Sequence, residues 1–248
     1  MRRPSKLVLV ALVLLTATVE AAAQSPLVAE LRQVSVRYHE DPARLDTLRA
    51  GLEQAAAADP RPENLVALAQ IEFIWADIRA KTQDEKLKAY DSGRQAAKRV
   101  ADADPRHVVA RFWYATNTAR WGQTNGVVRS LFLLPEVKRE ISAILEIEPR
   151  FPPVYVLAGS VYYEVPALLG GDLAKSEEYF RKGLELSSRY TMLRVGLGKT
   201  LIKLGRIDEA RKELTAVVEE KAPLNLADWT MKDVPEAKRL LAEITKGS

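Results

Sequence analysis

The chain has 248 residues, 47% of them hydrophobic, with a net charge of +4 and no cysteine. That much apolar material suffices for one sizeable core. A near-balanced charge, laid out as alternating Glu and Lys, excludes a binder of phosphate backbones, and the missing thiol excludes disulfides and thiol chemistry.

Residues 1–23 have the layout of an export leader. Arg2, Arg3 and Lys6 precede a short apolar run from Leu7 to Ala17, and Ala21, Ala22 and Ala23 supply small residues ahead of Gln24. The run falls short of the about 20 apolar residues a membrane helix needs. The expected division is therefore a leader at 1–23 and one helical domain at 24–248, periplasmic or secreted, with no transmembrane helix after cleavage and no cysteine for a lipid anchor.

The domain opens with an amphipathic segment, Leu27 to Tyr38. Asp41-Pro42 then reads as a helix start with Pro in the first turn, followed by Leu45, Leu48 and Leu52 at helical spacing. After Asp59-Pro60-Arg61, one stripe of Leu68, Ile71, Trp75 and Ile78 and a second of Val66, Ala69, Phe73 and Ala76 predict a helix with neighbours on two sides. A partner helix follows from about Asp84 to Ala103, ending at Asp104-Pro105-Arg106. The next pair ends at Glu148-Pro149-Arg150, and a comparable point is Ser187-Ser188-Arg189. Pro60, Pro105, Pro149 and Ser188 lie 45, 44 and 39 residues apart. Each marks where one helix ends and the next is set up. Residues 149–188 form one such helical hairpin, and a hairpin of this kind is stable only when stacked on others like it.

The last unit has the spacing of a tetratricopeptide repeat. Gly198 is the small residue of its first helix, Gly205 the turn, Ala210 the small residue of its second, and Leu201, Leu204, Ile207, Leu214 and Val217 complete the pattern. In the earlier units Gly159, Ala115 and Gln70 take the place of Gly198. Those units exceed the usual 34 residues or so, with about ten extra between their helices at Trp121 to Leu134 and about five at Glu164 to Gly171. A final helix from about Val234 to Ile244 offers Leu240, Leu241 and Ile244 to cover the open end. The expected fold is all-α: about five stacked hairpins forming a tetratricopeptide-like solenoid with a C-terminal capping helix.

Several fragments mimic chemical motifs. Gly196-Leu197-Gly198-Lys199-Thr200 ends like a phosphate loop, but Leu193 stands where the first glycine belongs and no strand precedes it. Asp172 after Gly170-Gly171 reads as a helix N-cap, because a calcium loop would need six or more oxygens. His39 and His107 are the two histidines, far apart, so neither a metal site nor a hydrolytic triad is expected. Glu177 with Arg181 and Glu178 with Lys182 form i, i+4 pairs on a solvated face. No enzyme, cofactor or metal is expected.

From about Asp104 to Leu214 the chain resembles the T-component of tripartite ATP-independent periplasmic (TRAP) transporters. The residues that carry the likeness are Pro166 to Asp172 (Pro-Ala-Leu-Leu-Gly-Gly-Asp), Tyr179-Phe180 and Leu184-Glu185-Leu186-Ser187. A related pattern occurs in tetratricopeptide-like regulators of microtubule dynamics. The resemblance implies an adaptor whose protein partner is a periplasmic solute-binding subunit, and in some members a hydrophobic pore or cavity through the stack. A general periplasmic scaffold, or an amphipathic-ligand binder unrelated to transport, is the alternative. Extending the repeat alignment puts Phe112, Thr116 and Arg120, then Ser160, Tyr163 and Glu164, then Lys199 and Lys203 on the inner face. The expected binding residues are Phe112, Arg120, Tyr163, Lys199 and Lys203, with Gly170, Gly171 and Asp172 shaping one rim.

Overall fold

The computed structural model describes residues 25–246, and the leader expected at 1–23 lies outside them. Ten helices pair as five hairpins: α1 (Pro26–Val34) with α2 (Arg44–Ala58), α3 (Pro62–Ile78) with α4 (Gln83–Ala103), and α5 (Val108–Asn125) with α6 (Val127–Ile147). The series continues with α7 (Pro152–Glu164) and α8 (Leu173–Leu186), then α9 (Thr191–Lys203) and α10 (Ile207–Glu219). No strand occurs among the described residues.

Local chemistry sets the boundaries. Pro62 and Pro152 open α3 and α7, where a missing N–H costs nothing. Thr82 and Glu85 cap α4 reciprocally, the Glu85 amide donating to the Thr82 hydroxyl and the Thr82 amide to the Glu85 carboxylate. The carboxylate of Asp172 accepts from the amides of Ala174 and Lys175 and so starts α8, as an N-cap should.

Two expectations need correction. Asp41-Pro42 does not open α2, which begins at Arg44 after a turn. The extra residues at Trp121 to Leu134 do not separate two helices. They lengthen both, with Gly126 alone at the bend in a left-handed conformation (φ 104°). Nothing else in the stretch breaks a helix until Pro135, and Gly122 admits the Cα of Ser130 so closely that an added Cβ would lie 3.2 Å from it. The α5–α6 hairpin is consequently about as long as α3–α4 and longer than α7–α8. The second insertion, Glu164 to Gly171, is a loop with one 3-10 turn at Ala167–Leu169.

Small residues let helices approach closely, between units at Gly196, where a Cβ would lie 2.3 Å from the Phe180 ring, and within hairpins at Gly159 and Gly198. A Cβ on Gly159 would come within 2.7 Å of the Phe180 ring, and one on Gly198 within 2.7 Å of Leu214. Asn117 ties α5 to α3 by donating from its amide to the Ala69 carbonyl at 3.1 Å. Buried ion pairs join neighbouring helices at Arg49–Glu72 (2.7 Å) and Arg111–Glu140 (2.5 Å).

The chain then turns back on itself. After α10 come a short helix α11 (Leu226–Asp228), a π-helical turn over Trp229–Asp233, and α12 (Val234–Lys246). Ala237, Leu240 and Leu241 of α12 pack on Leu214 and Val217, covering the end of the stack. The segment before it does something the repeat pattern does not announce. The Ala227 amide donates to the Val36 carbonyl at 3.0 Å, the Asn225 side chain to the Ser35 carbonyl at 3.3 Å, and the Tyr38 hydroxyl to Asp228 at 2.6 Å. Ala227 is buried in the N-terminal core cluster. The last part of the superhelix thus clasps the first, and the inner face becomes a ring.

Candidate functional site: the inner cavity

Because the first helix of each hairpin faces inward, closing the ring turns the concave face into a cavity of about 560 Å³. The wall comes from α3 (Phe73, Ile74, Asp77), α5 (Phe112, Trp113, Thr116, Ala119, Arg120) and α7 (Val156, Leu157, Ser160, Val161). Tyr190 and Met192 at the start of α9 and the clasp from Leu224 to Lys232 complete it. Most of the lining is aliphatic or aromatic. Phe112 meets Trp113 and Phe151 edge-on at ring separations of 5.0 and 5.5 Å, and Trp113 contacts Phe73 at 5.6 Å. Such pairing fixes rings in place and leaves a preformed apolar surface.

One polar cluster interrupts it. Asp77 accepts from Arg120 at 2.7 Å, from the Tyr90 hydroxyl at 2.6 Å and from Lys232 at 3.3 Å. Burial alone would raise the Asp77 pKa, but Lys232 and Arg120 outweigh it and hold the carboxyl below its ordinary range. Burial likewise opposes charge on Lys232, and Asp228 and Asp77 reverse the effect, so its pKa is raised. The cluster therefore stays ionised around neutrality. Beside it, Thr116 Oγ1 and Arg120 Nε are buried and find no hydrogen-bond partner among the described residues. They lie one turn apart on α5, both on residues lining the cavity. A charged cluster set in an otherwise largely apolar wall matches a ligand with a nonpolar body and a polar head.

A smaller space of about 280 Å³ lies between the α5–α6 tip and the end of α7, lined by Val127, Leu131, Leu134, Val165 and Pro166. It shares Ala119, Gln123, Val161 and Glu164 with the main cavity. The Gln123 amide donates to the Glu164 carboxylate on this shared wall.

Of the residues singled out from sequence, Phe112 and Arg120 line the cavity. Tyr163, Lys199 and Lys203 do not; they form contacts of their own. The Lys203 ammonium donates to the Tyr163 carbonyl at 3.1 Å and lies 3.7 Å from the centre of its ring. Lys199 pairs with Glu236 of α12 at 2.7 Å, so the acidic group that two lysines a turn apart invite comes from within the chain. Gly170, at φ 94°, offers its carbonyl to Lys138 at 2.8 Å. A Cβ on Gly171 would lie 1.7 Å from the Val165 carbonyl oxygen, which is why the loop needs glycine there. The phosphate-loop mimic lies inside α9, with Thr200 buried and bonded to the Gly196 carbonyl at 2.9 Å.

Sequence reading passed over Asp77, Asp228 and Lys232. Asp77 had a detectable mark, an acid at the end of an otherwise apolar face of α3. Lys232, 155 residues away from it, had none. Among the described residues no group of three or more His, Asp or Glu is placed to hold a metal ion, and no helix is long and apolar enough to cross a membrane.

The family model described as TRAP transporter T-component matches residues 35–203, and one described as tetratricopeptide repeat matches residues 167–244. Among solved structures the chain is similar to TTC0263, a thermophilic TPR protein in Thermus thermophilus. The TM-score is 0.63 at 19% identity, over 88% of this chain and 99% of that one. A likeness at that identity shows the fold. A further similarity, with a TM-score of 0.49 at 16% identity, is to MamA 41-end from Desulfovibrio magneticus RS-1, over 85% of this chain and 99% of that one. No curated protein matches the chain.

Proposed function

The chain belongs to the TRAP transporter T-component family, and we propose that it acts in the periplasm as a non-catalytic adaptor that holds an amphipathic ligand and partners a solute-binding subunit. The observation that carries this reading is the half-open cavity of about 560 Å³, apolar over most of its wall, with the Asp77–Arg120–Lys232 cluster at one place on it. That volume lies within the range of about 300–1,000 Å³ typical of small-molecule sites. Phe112, Trp113 and Phe73 would take the nonpolar part of the ligand. The Asp77–Arg120–Lys232 cluster would meet its polar head. Export rests on the leader-like residues 1–23, and the solute-binding partner on family membership.

Trp113 gives a direct test, because its ring borders the cavity. A single-chain amphiphile brominated along its tail should quench tryptophan emission saturably at one ligand per protein, and Trp113→Phe should remove most of that quenching. Non-saturable quenching, or quenching unchanged in Trp113→Phe, would contradict the reading.

A further inference from the structure

The most exposed large apolar side chains among the described residues fall in two places, and the fold brings both to one side of the molecule. At the α5–α6 tip, Val127 is 70% exposed, Val128 85% and Phe132 75%; in the 3-10 turn after α7, Leu168 is 99% exposed. Both segments border the 280 Å³ space that adjoins the main cavity, through Val127 and Leu131 on one side and Pro166 on the other. Lys138 joins them by bonding from α6 to the Gly170 carbonyl. The tip is helical on both sides of Gly126. Gly122 lets the two helices close against each other, so its apolar residues stand on ordered helix.

Within the two exposed segments the charge is basic, and Glu136, Glu164 and Asp172 stand at their borders. Arg129 is the single charged residue between Gly126 and Pro135, and no charged residue occurs between Val165 and Gly171. Phe132 and Arg139, two turns apart, share the outer face of α6, both exposed. Lys138 and Lys175 converge on the Tyr162 ring at 4.6 and 5.4 Å, while Arg129 and Arg94 sit 5.6 and 4.7 Å from the Trp121 ring. Arg129, Lys138, Arg139 and Lys175 have no carboxylate within ion-pair distance among the described residues, although most cations elsewhere in the fold do. Burial and the neighbouring Lys175 lower the Lys138 pKa, and Asp172 only partly offsets them. Projecting aliphatic and aromatic side chains ringed by unpaired cations, with a tryptophan at their edge, are complementary to a bilayer surface bearing anionic headgroups.

We infer that the α5–α6 tip and the 166–171 turn dock this protein onto an anionic lipid surface, with Phe132 and Leu168 entering the acyl boundary and Arg129, Arg139 and Lys175 meeting headgroups. Docking in this pose sets the smaller space, and through it the cavity wall at Gln123 and Glu164, against the bilayer. The interaction is peripheral and does not depend on what the cavity holds.

The absence of cysteine makes a local readout available in the full-length chain. Val128→Cys labelled with an environment-sensitive fluorophore should shift to the blue on vesicles containing phosphatidylglycerol. Half-shift should need at least tenfold less lipid than on pure phosphatidylcholine, and the advantage should shrink at 0.5 M salt, roughly. The same label at Lys212→Cys on α10 should not shift, which separates the tip from any binding by residues 1–23. In the labelled background, Lys175→Gln and Arg139→Gln should each weaken the response about fivefold, and Phe132→Ser should abolish it with an unchanged melting temperature. No shift at position 128 on anionic vesicles would overturn the inference, as would an equal shift at position 212. A vesicle-independent shift that grows with protein concentration would assign the patch to a second copy of the chain. A shift that appears only with a solute-binding protein would assign it to that partner.

Discussion

The hydroxyl of Tyr38 donates to the carboxylate of Asp228 at 2.6 Å, across 190 residues of chain. This bond belongs to the clasp that turns an open stack of hairpins into a ring. Lys232 reinforces it by reaching Asp228 at 3.1 Å and Asp77 at 3.3 Å. Tyr38→Phe should cost about 1–3 kcal/mol, the usual range for a hydrogen bond to a charged group. The cost should be local. Hydrogen exchange over residues 224–232 should accelerate, while α7 and α8 stay protected; uniform acceleration throughout would mean that the clasp is no separate unit.

Gly159 tests the packing of α7 on α8. The Phe180 ring lies where its Cβ would be, at 2.7 Å, and packs against Gly196 from the other side. Gly159→Leu should destabilise by about 1–3 kcal/mol through overpacking. Urea denaturation checks it, and an unchanged midpoint would contradict the packing described.

Asp233 predicts a pH dependence. Burial is the main cause that raises its carboxyl from 3.8 to about 7, with Asp228 adding to the effect while a 2.6 Å bond from Thr191, Lys232 and Lys199 work against it. The folded state therefore holds the proton more tightly than the unfolded state does. The resulting stability is full below about pH 4 and is lost as pH rises through about 7. Asp77, whose pKa is lowered, loses its contribution only at more acid pH, outside this window. Asp233→Asn should flatten the slope between pH 5 and 8, approximately, and gain about 1–3 kcal/mol at the alkaline end. A slope unchanged by the substitution would place the titration elsewhere.

Lys199 and Glu236 join α9 to the capping helix at 2.7 Å, with side chains 33% and 26% exposed. Solvent screens such a pair, and a double-mutant cycle with Lys199→Met and Glu236→Gln should return a coupling of about 0.2–1 kcal/mol. A coupling near zero would leave hydrophobic packing by Leu240 as the cap's main attachment.

The repeat was legible because it is local. Proline landmarks at Pro60, Pro105 and Pro149 and small residues at Gly159 and Gly198 act within one or two helices, and each finds its expected neighbour. The inner placement of Phe112 and Arg120 followed from the same register. Ring closure did not follow. Asn225, Asp228 and Lys232 act on Ser35, Tyr38 and Asp77, and no period in the sequence relates segments at opposite ends of a superhelix. The Trp121 to Leu134 insertion was misread as a connection for a different reason: an apolar run with one glycine can extend two helices as readily as separate them, and the choice was made by how closely α5 and α6 pack at Gly122.

If the cavity inside the ring is a ligand site, filling it should weaken or abolish binding. Ala119 lines both the main cavity and the smaller space beside it, and a tryptophan there would occupy the passage with little change to the outer surface. Isothermal titration of a single-chain amphiphile into the wild type should show one saturable site, and Ala119→Trp should weaken binding at least tenfold with its helical content unchanged. Equal binding by the two folded proteins would contradict the account.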